Sequence, residues 1–460
     1  MFIILLLTTI ASIYLINSSK IDKFSKYFLL IYNIISFIIL SFSTTNPYDL
    51  YSVSNKTYLL WILHLLIFTL TYVILIKKKN GENNIELVDL NEKLNKITQS
   101  KALLIFQSMT MLVLIFYVIK YNYIVSQTGD ISSLRMIRYT TLFNSYTEKV
   151  IFEYIIMGAL TISSIITTIL LVNKKCKNPF FIIGILNILL YVSIGYSRKI
   201  LLEFIIYIVL AYLIMSIITK KRINRKTIFV GLTLVLVVCI IMLEMTAIRT
   251  GVKIYDLKKI ANDIVGEQIK QVVLYFEGPL RTLDNFINEG FESLNGNLAY
   301  GRATLAGIDE IISLPLIFVG IDYPYFNSII GSELQTNVTV SENGYKINAF
   351  YTGIMNFYAD FGTVGVLIFS MLYATLVVYC VRNFFKKKGD IFSQVLLIFV
   401  IMNTLSIVYR WNYQSGATTF LLIVLVILNN TRAKTWINDV LIKLRNKFIK
   451  LGGKIWKYYG

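Results

Sequence analysis

Three arginines near the ends of long apolar segments are the first residues whose chemistry stands out. Arg198 and Arg249 border apolar segments, and Arg281 lies in the long polar stretch that follows. A guanidinium group binds phosphate through two parallel hydrogen bonds and stays charged at any physiological pH. The three are therefore candidates to hold a phosphate or pyrophosphate group near a membrane surface. Each also has a structural alternative: an interfacial arginine can extend its charge into water, and Arg281 can pair with Glu277 or Asp284.

Three carboxylates in or beside the same polar stretch are candidates for a general base. They are Glu277, Asp284 and Asp360. A base that takes the proton of an attacking hydroxyl contributes about 10²- to 10⁴-fold to a transfer reaction. For Asp360 the alternative is an aspartate that begins a membrane helix.

A further set of two cations and three tyrosines is suited to hold a substrate. Its members are Lys199, Arg302, Tyr275, Tyr323 and Tyr358. Tyrosine rings can stack on sugars, and they are equally typical of the aromatic belt at a membrane interface. Lys199 precedes Glu203 by four residues, so this pair can instead neutralise itself on one helix face.

Motifs for metal or nucleotide chemistry do not appear in the sequence. The single histidine, His64, lies inside an apolar segment, and HExxH, GxSxG and Walker-type phosphate loops do not occur. The sequence therefore predicts neither a metal site nor a cofactor.

The elements that must position these residues are predicted to be membrane-spanning helices. The 460 residues are 56% hydrophobic and 15% charged, with a mean hydropathy of +0.65, far from the composition of soluble domains. A helix needs about 20 apolar residues to cross a bilayer. The sequence thus predicts an all-α polytopic membrane protein with about eleven spans: 2–16, 27–43, 57–76, 102–119, 150–172, 180–196, 200–219, 227–247, 360–380, 391–409 and 417–430.

The links between these segments alternate between many and few Lys and Arg residues. By the positive-inside rule this alternation places the N-terminus outside and the C-terminus in the cytoplasm. The net charge of +19 is thus a sign of topology, and a nucleic-acid partner is not expected. The predicted regions are spans one to eight (1–247), an outer loop (248–348), spans nine to eleven (349–430) and a basic tail (431–460) that can lie on anionic membrane lipids.

The outer loop is predicted to contain amphipathic helices. Apolar residues recur at helical spacing from Leu257 to Phe276, and Gly278-Pro279 is expected to end that helix before a shorter one begins at Leu280. A further amphipathic piece, 302–313, leads into an apolar segment that is too short to span a bilayer.

The apolar run 349–380 is longer than one bilayer crossing requires. Its first part is therefore expected to rise above the membrane, which places Asp360 at the outer interface. Gly362 and Gly365 then permit close packing against a neighbouring helix.

Four segments in this order resemble a known family. They are GYSRK (195–199), IRTG (248–251), YFEGPLRTLDNF (275–286) and NAFYTGIMNFYADFGTVG (348–365). Together with the long loop they are similar to the oligosaccharide repeat-unit polymerases, the Wzy-type family that assembles O-antigen and capsule. The resemblance covers roughly residues 180–380.

The resemblance implies a GT-C-like fold and a metal-independent glycosyl transfer on the outer face of the cytoplasmic membrane. The donor would be an undecaprenyl-pyrophosphate-linked glycan, and a second lipid-linked repeat unit would offer the attacking hydroxyl. Arg198, Arg249 and Arg281 match charged positions of the family and would hold the departing pyrophosphate. A flippase and a chain-length-regulating co-polymerase would be partners.

Three other functions remain open from the sequence. A lipid-linked oligosaccharide flippase or exporter usually has short outer loops, and an O-antigen ligase usually carries a histidine in its large loop. A transferase that uses monosaccharide-phosphate lipids usually carries paired acids in its first outer loop, where this chain has only Asp49. The long outer loop favours an enzyme over a transporter.

Overall fold

The computed structural model describes most of the chain. The described residues are 1–77, 100–128, 141–194, 199–219, 233, 266–290, 294, 296–330, 338–344, 346–347, 351–387 and 390–430. The predicted span 227–247, apart from Thr233, and the predicted basic tail 431–460 lie outside them.

The structure is about 80% helical. Its helices, numbered in chain order, are α1 (Phe2–Ser18), α2 (Lys23–Ser43), α3 (Asn55–Lys77), α4 (Lys101–Thr128), α5 (Tyr146–Val172), α6 (Pro179–Ser193), α7 (Lys199–Thr219), α8 (Gly266–Glu289), α9 (Ala306–Phe318), α10 (Phe326–Ile329), α11 (Gly353–Lys386), α12 (Ile391–Ser406) and α13 (Gly416–Asn429). Two short antiparallel strands, β1 (Val338–Thr339) and β2 (Lys346–Ile347), precede α11.

Ten of the eleven predicted spans coincide with helices of the structure. Among the described residues, six helices are long and apolar enough to cross a membrane: α2, α3, α4, α5, α7 and α11. The apolar helices α1, α6, α12 and α13 are shorter, with 14 to 17 residues. The fold is therefore compatible with an all-α membrane protein.

The helix starts follow capping signals in the sequence. The Asp22 side chain accepts from the backbone N–H of Ser25 (2.9 Å) at the start of α2. The side chain of Asn178 accepts from the Phe180 N–H (2.9 Å), with Pro179 as the first residue of α6. Such caps satisfy N–H groups that have no partner inside the helix.

A polar contact ties three helices together inside the apolar core. The His64 ring on α3 lies between the Tyr32 hydroxyl on α2 and the Ser370 hydroxyl on α11, at 2.7 Å from each. Because Ser370 donates to the Val366 carbonyl, it accepts from His64 Nδ1, which leaves Nε2 to accept from Tyr32. All three side chains are fully buried, so His64 has a structural role here.

The two ends of the helix bundle carry different connections. At one end, the N–H of Gly353 donates to the Ile407 carbonyl (2.8 Å), and Trp411 Nε1 donates to the Thr304 carbonyl (2.9 Å). The segments before α11 and after α12 thus meet the 299–330 region there. We call this the loop end.

The opposite end joins other segments. Asn429 Nδ2 donates to the Phe392 carbonyl (2.8 Å), and its Oδ1 accepts from Asn383 (3.2 Å). The C-terminal ends of α11 and α13 therefore meet the start of α12 here.

One predicted helix boundary in the loop is wrong. Gly278-Pro279 does not end a helix, because α8 runs without interruption from Gly266 to Glu289 with Pro279 inside it. The predicted amphipathic piece 302–313 leads into the apolar segment within one helix, because α9 continues through Pro315 to Phe318. Residues 257–265 lie outside the described part of the chain.

Helix α11 contains a sharp break at which two of its three glycines, Gly362 and Gly365, lie. Phe361 has φ −145° and ψ 25°, and Gly362 has φ 60° and ψ −141°, a backbone conformation that is essentially confined to glycine. A Cβ at Gly365 would lie 2.0 Å from the Phe357 carbonyl oxygen. Gly365 therefore packs against its own helix across the break, and packing against a neighbouring helix at this position stays a prediction.

Candidate functional site

Arg281 is buried and fully engaged with the protein. Its Nη1 donates to Glu277 Oε2 (2.6 Å) and to the Ser43 hydroxyl (2.7 Å), and its Nη2 donates to the Ser43 carbonyl (3.0 Å). Its Nε donates to the Tyr51 carbonyl (3.0 Å). The alternative of an ion pair with Glu277 is thus what the structure contains, and in this state Arg281 has no free edge for a phosphate.

Asp284 holds the start of α3. Its Oδ1 accepts from the backbone N–H of Ser54 (3.1 Å), from the Ser54 hydroxyl and from the Thr57 hydroxyl (2.6 Å). Asp284 is half-buried, and no described residue donates to its other oxygen. We call Glu277, Arg281 and Asp284, together with residues 43–57, the link cluster.

Glu277 is the acidic partner of Arg281 and is nearly inaccessible. Its Oε1 is buried without a hydrogen-bond partner among the described residues. Burial raises the pKa of Glu277 above its ordinary value, although the charge of Arg281 and its hydrogen bond oppose the rise. An inaccessible carboxylate of this kind is poorly placed to reach a substrate hydroxyl.

Asp360 binds the backbone of the loop before α9. Its Oδ1 accepts from the N–H groups of Gly301 (2.8 Å) and Ala303 (2.9 Å), and its Oδ2 accepts from the Thr304 N–H (2.8 Å). The side chain is fully buried. Both of its oxygens are therefore occupied by protein donors, an arrangement that neither sequence interpretation of this residue anticipated.

Further hydrogen bonds fasten the same loop to the first segment of α11. The Ala299 N–H donates to the Ala359 carbonyl (2.9 Å), and Asn356 Nδ2 donates to the Ala303 carbonyl (2.8 Å). The backbone around Arg302 is consequently fixed from both sides.

Arg302 and Tyr323, two predicted substrate-binding residues, lie together on Asp309. Asp309 Oδ2 accepts from Arg302 Nε (3.2 Å) and Nη2 (3.0 Å), while its Oδ1 accepts from the Tyr323 hydroxyl (2.7 Å). The guanidinium carbon lies 5.8 Å from the centre of the Tyr323 ring. The Arg302 side chain is 40% exposed, whereas that of Asp309 is 9% exposed. We call these three residues the rim cluster.

The hydrogen bond to Asp309 also affects Tyr323 as an acid. It is the largest cause that raises the pKa of Tyr323 above its ordinary value. Tyr323 therefore stays a neutral hydrogen-bond donor at physiological pH, and its ring keeps a fixed orientation beside Arg302.

Tyr358 belongs to a short segment that connects the two clusters. Its ring is 6.2 Å from that of Phe286 on α8 and 5.4 Å from the Lys56 ammonium, which joins it to the link cluster. Two residues later, Asp360 fixes the loop that carries Arg302.

Lys199 and Tyr275 interact with residues outside both clusters. Lys199 pairs with Glu203 at 3.4 Å, as the sequence alternative predicted, and its side chain is 63% exposed. Tyr275 is exposed, and its neighbour Phe276 has its ring 5.7 Å from that of Tyr409. Tyr275 also lies near Tyr409.

The predictions for Arg198 and Arg249 lie outside the described residues. Within the described ranges, no group of three or more His, Cys, Asp or Glu side chains is placed to hold a metal ion.

Comparisons with protein-family models, with curated proteins and with solved structures found no match for this chain. The resemblance to repeat-unit polymerases therefore rests on the sequence motifs alone.

Asp309 and Lys56 are two charged residues at the clusters that the sequence analysis did not single out. Asp309 follows Arg302 by seven residues, and that spacing gave no sign of a contact because a turn separates them. Lys56 carries the only positive charge between Ser43 and Lys77, and that isolation was a usable signal.

Proposed function

We propose that this protein transfers glycans from a lipid-pyrophosphate donor, and that it polymerises undecaprenyl-pyrophosphate-linked repeat units at the outer face of the cytoplasmic membrane. The observation that carries the proposal is the placement of two polar clusters at the loop end of an apolar helix bundle. Tyr358 in the short segment Gly353–Asp360 contacts Lys56 at the link cluster, and Asp360 in the same segment binds the loop that carries Arg302 of the rim cluster.

Two clusters suit a reaction between two lipid-anchored substrates. Both substrates would reach the protein from the membrane surface, and their alignment would supply a large part of the rate acceleration. The rim cluster offers an accessible guanidinium beside a tyrosine ring, which suits the hydroxyl groups and the faces of sugars. Since Asp309 fixes both groups in advance, little conformational entropy is lost when a glycan binds.

Asp284 is the best placed of the three candidate bases. Glu277 and Asp360 are almost completely buried, whereas Asp284 is half-buried and uses one oxygen for its contacts with α3. Its other oxygen would accept the proton of the attacking hydroxyl. Arg198 and Arg249 keep their proposed role at the pyrophosphate.

The test is incubation of the purified protein, in lipid nanodiscs, with the lipid-pyrophosphate repeat unit from cells that lack the protein. A ladder of products of increasing length supports a polymerase. Transfer of one glycan to a separate lipid acceptor, without a ladder, indicates a ligase. Absence of conversion together with translocation in sealed vesicles indicates a flippase, and either of these results overturns the proposal.

A further inference from the structure

Lys56 is an exposed cation at the link cluster. It lies in the first turn of α3, and its Nζ is 5.4 Å from the centre of the Tyr358 ring. The described part of the chain contains no carboxylate in an ion pair with it. A lysine over an aromatic face is held in position by the ring while its ammonium remains available to a second partner.

Two of the three predicted catalytic residues on α8 converge on the chain beside Lys56. Arg281 donates to the carbonyls of Ser43 and Tyr51, and Asp284 accepts from Ser54 and Thr57. The guanidinium of Arg281 is thereby occupied. The accessible positive charge at the link cluster is that of Lys56.

The chain that leads to Lys56 is held in an uncommon backbone conformation. Asn46, Tyr48 and Asp49 all have left-handed backbone angles, with φ of 47°, 56° and 56°, which residues other than glycine rarely adopt. For Tyr48, a bulky residue, this is a true outlier.

Long-range contacts keep this conformation in place. Arg281 Nη2 reaches the Asn46 side chain (3.4 Å), and the Tyr51 N–H donates to the Val340 carbonyl (2.9 Å) near the two-stranded sheet. Strained backbone persists only where its surroundings fix it, and it often accompanies binding sites. Residues 44–54, which connect α2 to α3 and which we call the α2–α3 link, are therefore a preorganised support for the first turn of α3.

We propose that Lys56 binds the pyrophosphate group of a lipid-linked substrate, beside the ring of Tyr358. The identity of this ligand rests on the proposed function. An ammonium binds phosphate oxygens as a compact point charge with three donors. The first turn of an apolar helix of 23 residues places that charge at the depth of lipid headgroups, where a prenyl pyrophosphate carries its anionic group. Arg281 then acts as a positioning residue, because it holds the link that precedes Lys56.

The test measures binding of two probes, inorganic pyrophosphate and farnesyl pyrophosphate, to protein in phosphatidylcholine nanodiscs. Lys56→Ala is expected to weaken binding roughly tenfold, the usual effect of losing one charge-assisted hydrogen bond, and Lys56→Arg is expected to retain most of it. Lys101→Ala is the matched control, because Lys101 is also an exposed lysine in the first turn of an apolar helix. Its affinities should equal those of the wild type.

Unchanged affinity of Lys56→Ala for both probes overturns the proposal, as does an equal loss in Lys101→Ala. A loss confined to farnesyl pyrophosphate supports it and identifies the lipid-linked form as the ligand, while a loss for both probes supports it through the shared pyrophosphate chemistry. Thermal unfolding and gel filtration of each variant verify the fold, and Lys56→Arg keeps the comparison valid if Lys56→Ala does not fold.

The same preparations separate this proposal from the proposed function. Lys56-dependent pyrophosphate binding by a wild-type protein that makes no glycan ladder would refute polymerisation and leave the Lys56 site standing. A ladder that forms equally well with wild type and Lys56→Ala, with unchanged binding, would refute the Lys56 site and leave polymerisation standing.

Discussion

The carboxylate of Asp309 fixes the guanidinium of Arg302 through Nε at 3.2 Å and Nη2 at 3.0 Å, across seven residues and a turn. The same carboxylate accepts the Tyr323 hydroxyl at 2.7 Å. One nearly buried acid thus orients a cation and an aromatic ring that both remain accessible. This relationship is the basis for our proposal that the rim cluster binds glycans.

Replacement of Asp309 by Asn should loosen Arg302 without removing it. Because the guanidinium would lose its charged partner, we expect KM for the lipid-linked repeat unit to rise about tenfold, with a smaller change in kcat. Steady-state kinetics of ladder formation measure both constants. Asp322→Asn, at an exposed acid of the same loop, is the matched control and should behave as the wild type. A wild-type KM for Asp309→Asn would show that orientation of Arg302 is unimportant.

Replacement of Asp360 should mainly lower the stability of the fold, and should affect glycan transfer only through that loss. Its three backbone hydrogen bonds have a charged acceptor, and such bonds contribute about 1.5–3 kcal/mol each, without simple additivity. We expect Asp360→Ala to lower the free energy of unfolding by about 3 kcal/mol or more, and Asp360→Asn to lower it by less. Denaturant unfolding in detergent measures the difference.

A general-base role for Asp360 makes the opposite prediction. Asp360→Asn would then keep the stability of the wild type and lose turnover by about 10²-fold or more. That combination of results would contradict the positioning role.

Arg281 and Glu277 should behave as a coupled pair. Removal of one partner of a buried ion pair typically costs about 3–5 kcal/mol, because the other charge is left without compensation. Arg281→Met should therefore destabilise the protein by about this amount, and the double variant Glu277→Gln/Arg281→Met should be less destabilised than Arg281→Met alone. Thermal unfolding of the three proteins gives the coupling. If Arg281→Met were as stable as the wild type but inactive, Arg281 would be a direct ligand of the substrate.

The raised pKa of Glu277 predicts a pH dependence of stability. Burial makes the folded state bind the Glu277 proton more tightly than the unfolded state does. Its contribution is therefore complete below the unfolded pKa and is lost as pH rises through the folded pKa. Because Glu277→Gln does not titrate, the unfolding midpoint of the wild type should fall relative to that of the variant as pH rises above about 4.5. A difference that stays constant or increases with pH would contradict the burial effect.

The helices were largely predictable because membrane spans are encoded locally. A run of apolar residues near the bilayer thickness specifies a helix without knowledge of its neighbours, and ten predicted spans coincide with helices. The break at Gly278-Pro279 was predicted wrongly because proline was interpreted from its local effect alone. Pro279 is buried where α8 contacts the α2–α3 link, and tertiary contacts there keep the helix continuous.

The site was predictable only where contacts are local. Glu277 and Arg281 stand four residues apart on one helix, so their pairing was a stated alternative and is present. Asp284 contacts Ser54, which is 230 residues away in the sequence, and Asp360 contacts Gly301, which is 59 residues away. The periodic pattern of apolar residues does not indicate contacts between residues that are so far apart in the sequence. The sequence therefore predicted the pairing of Glu277 with Arg281 but could not assign the partners of Asp284 and Asp360.

The most direct measurement of the central claim compares wild type and Arg302→Ala in nanodiscs with the lipid-pyrophosphate repeat unit. The wild type should produce a ladder of glycans, and Arg302→Ala, at matched expression and unfolding midpoint, should produce about a tenth as much at substrate concentrations below KM. Failure of the wild type to extend the glycan, or equal ladders from both proteins, would contradict the assignment of glycan transfer to this end of the bundle.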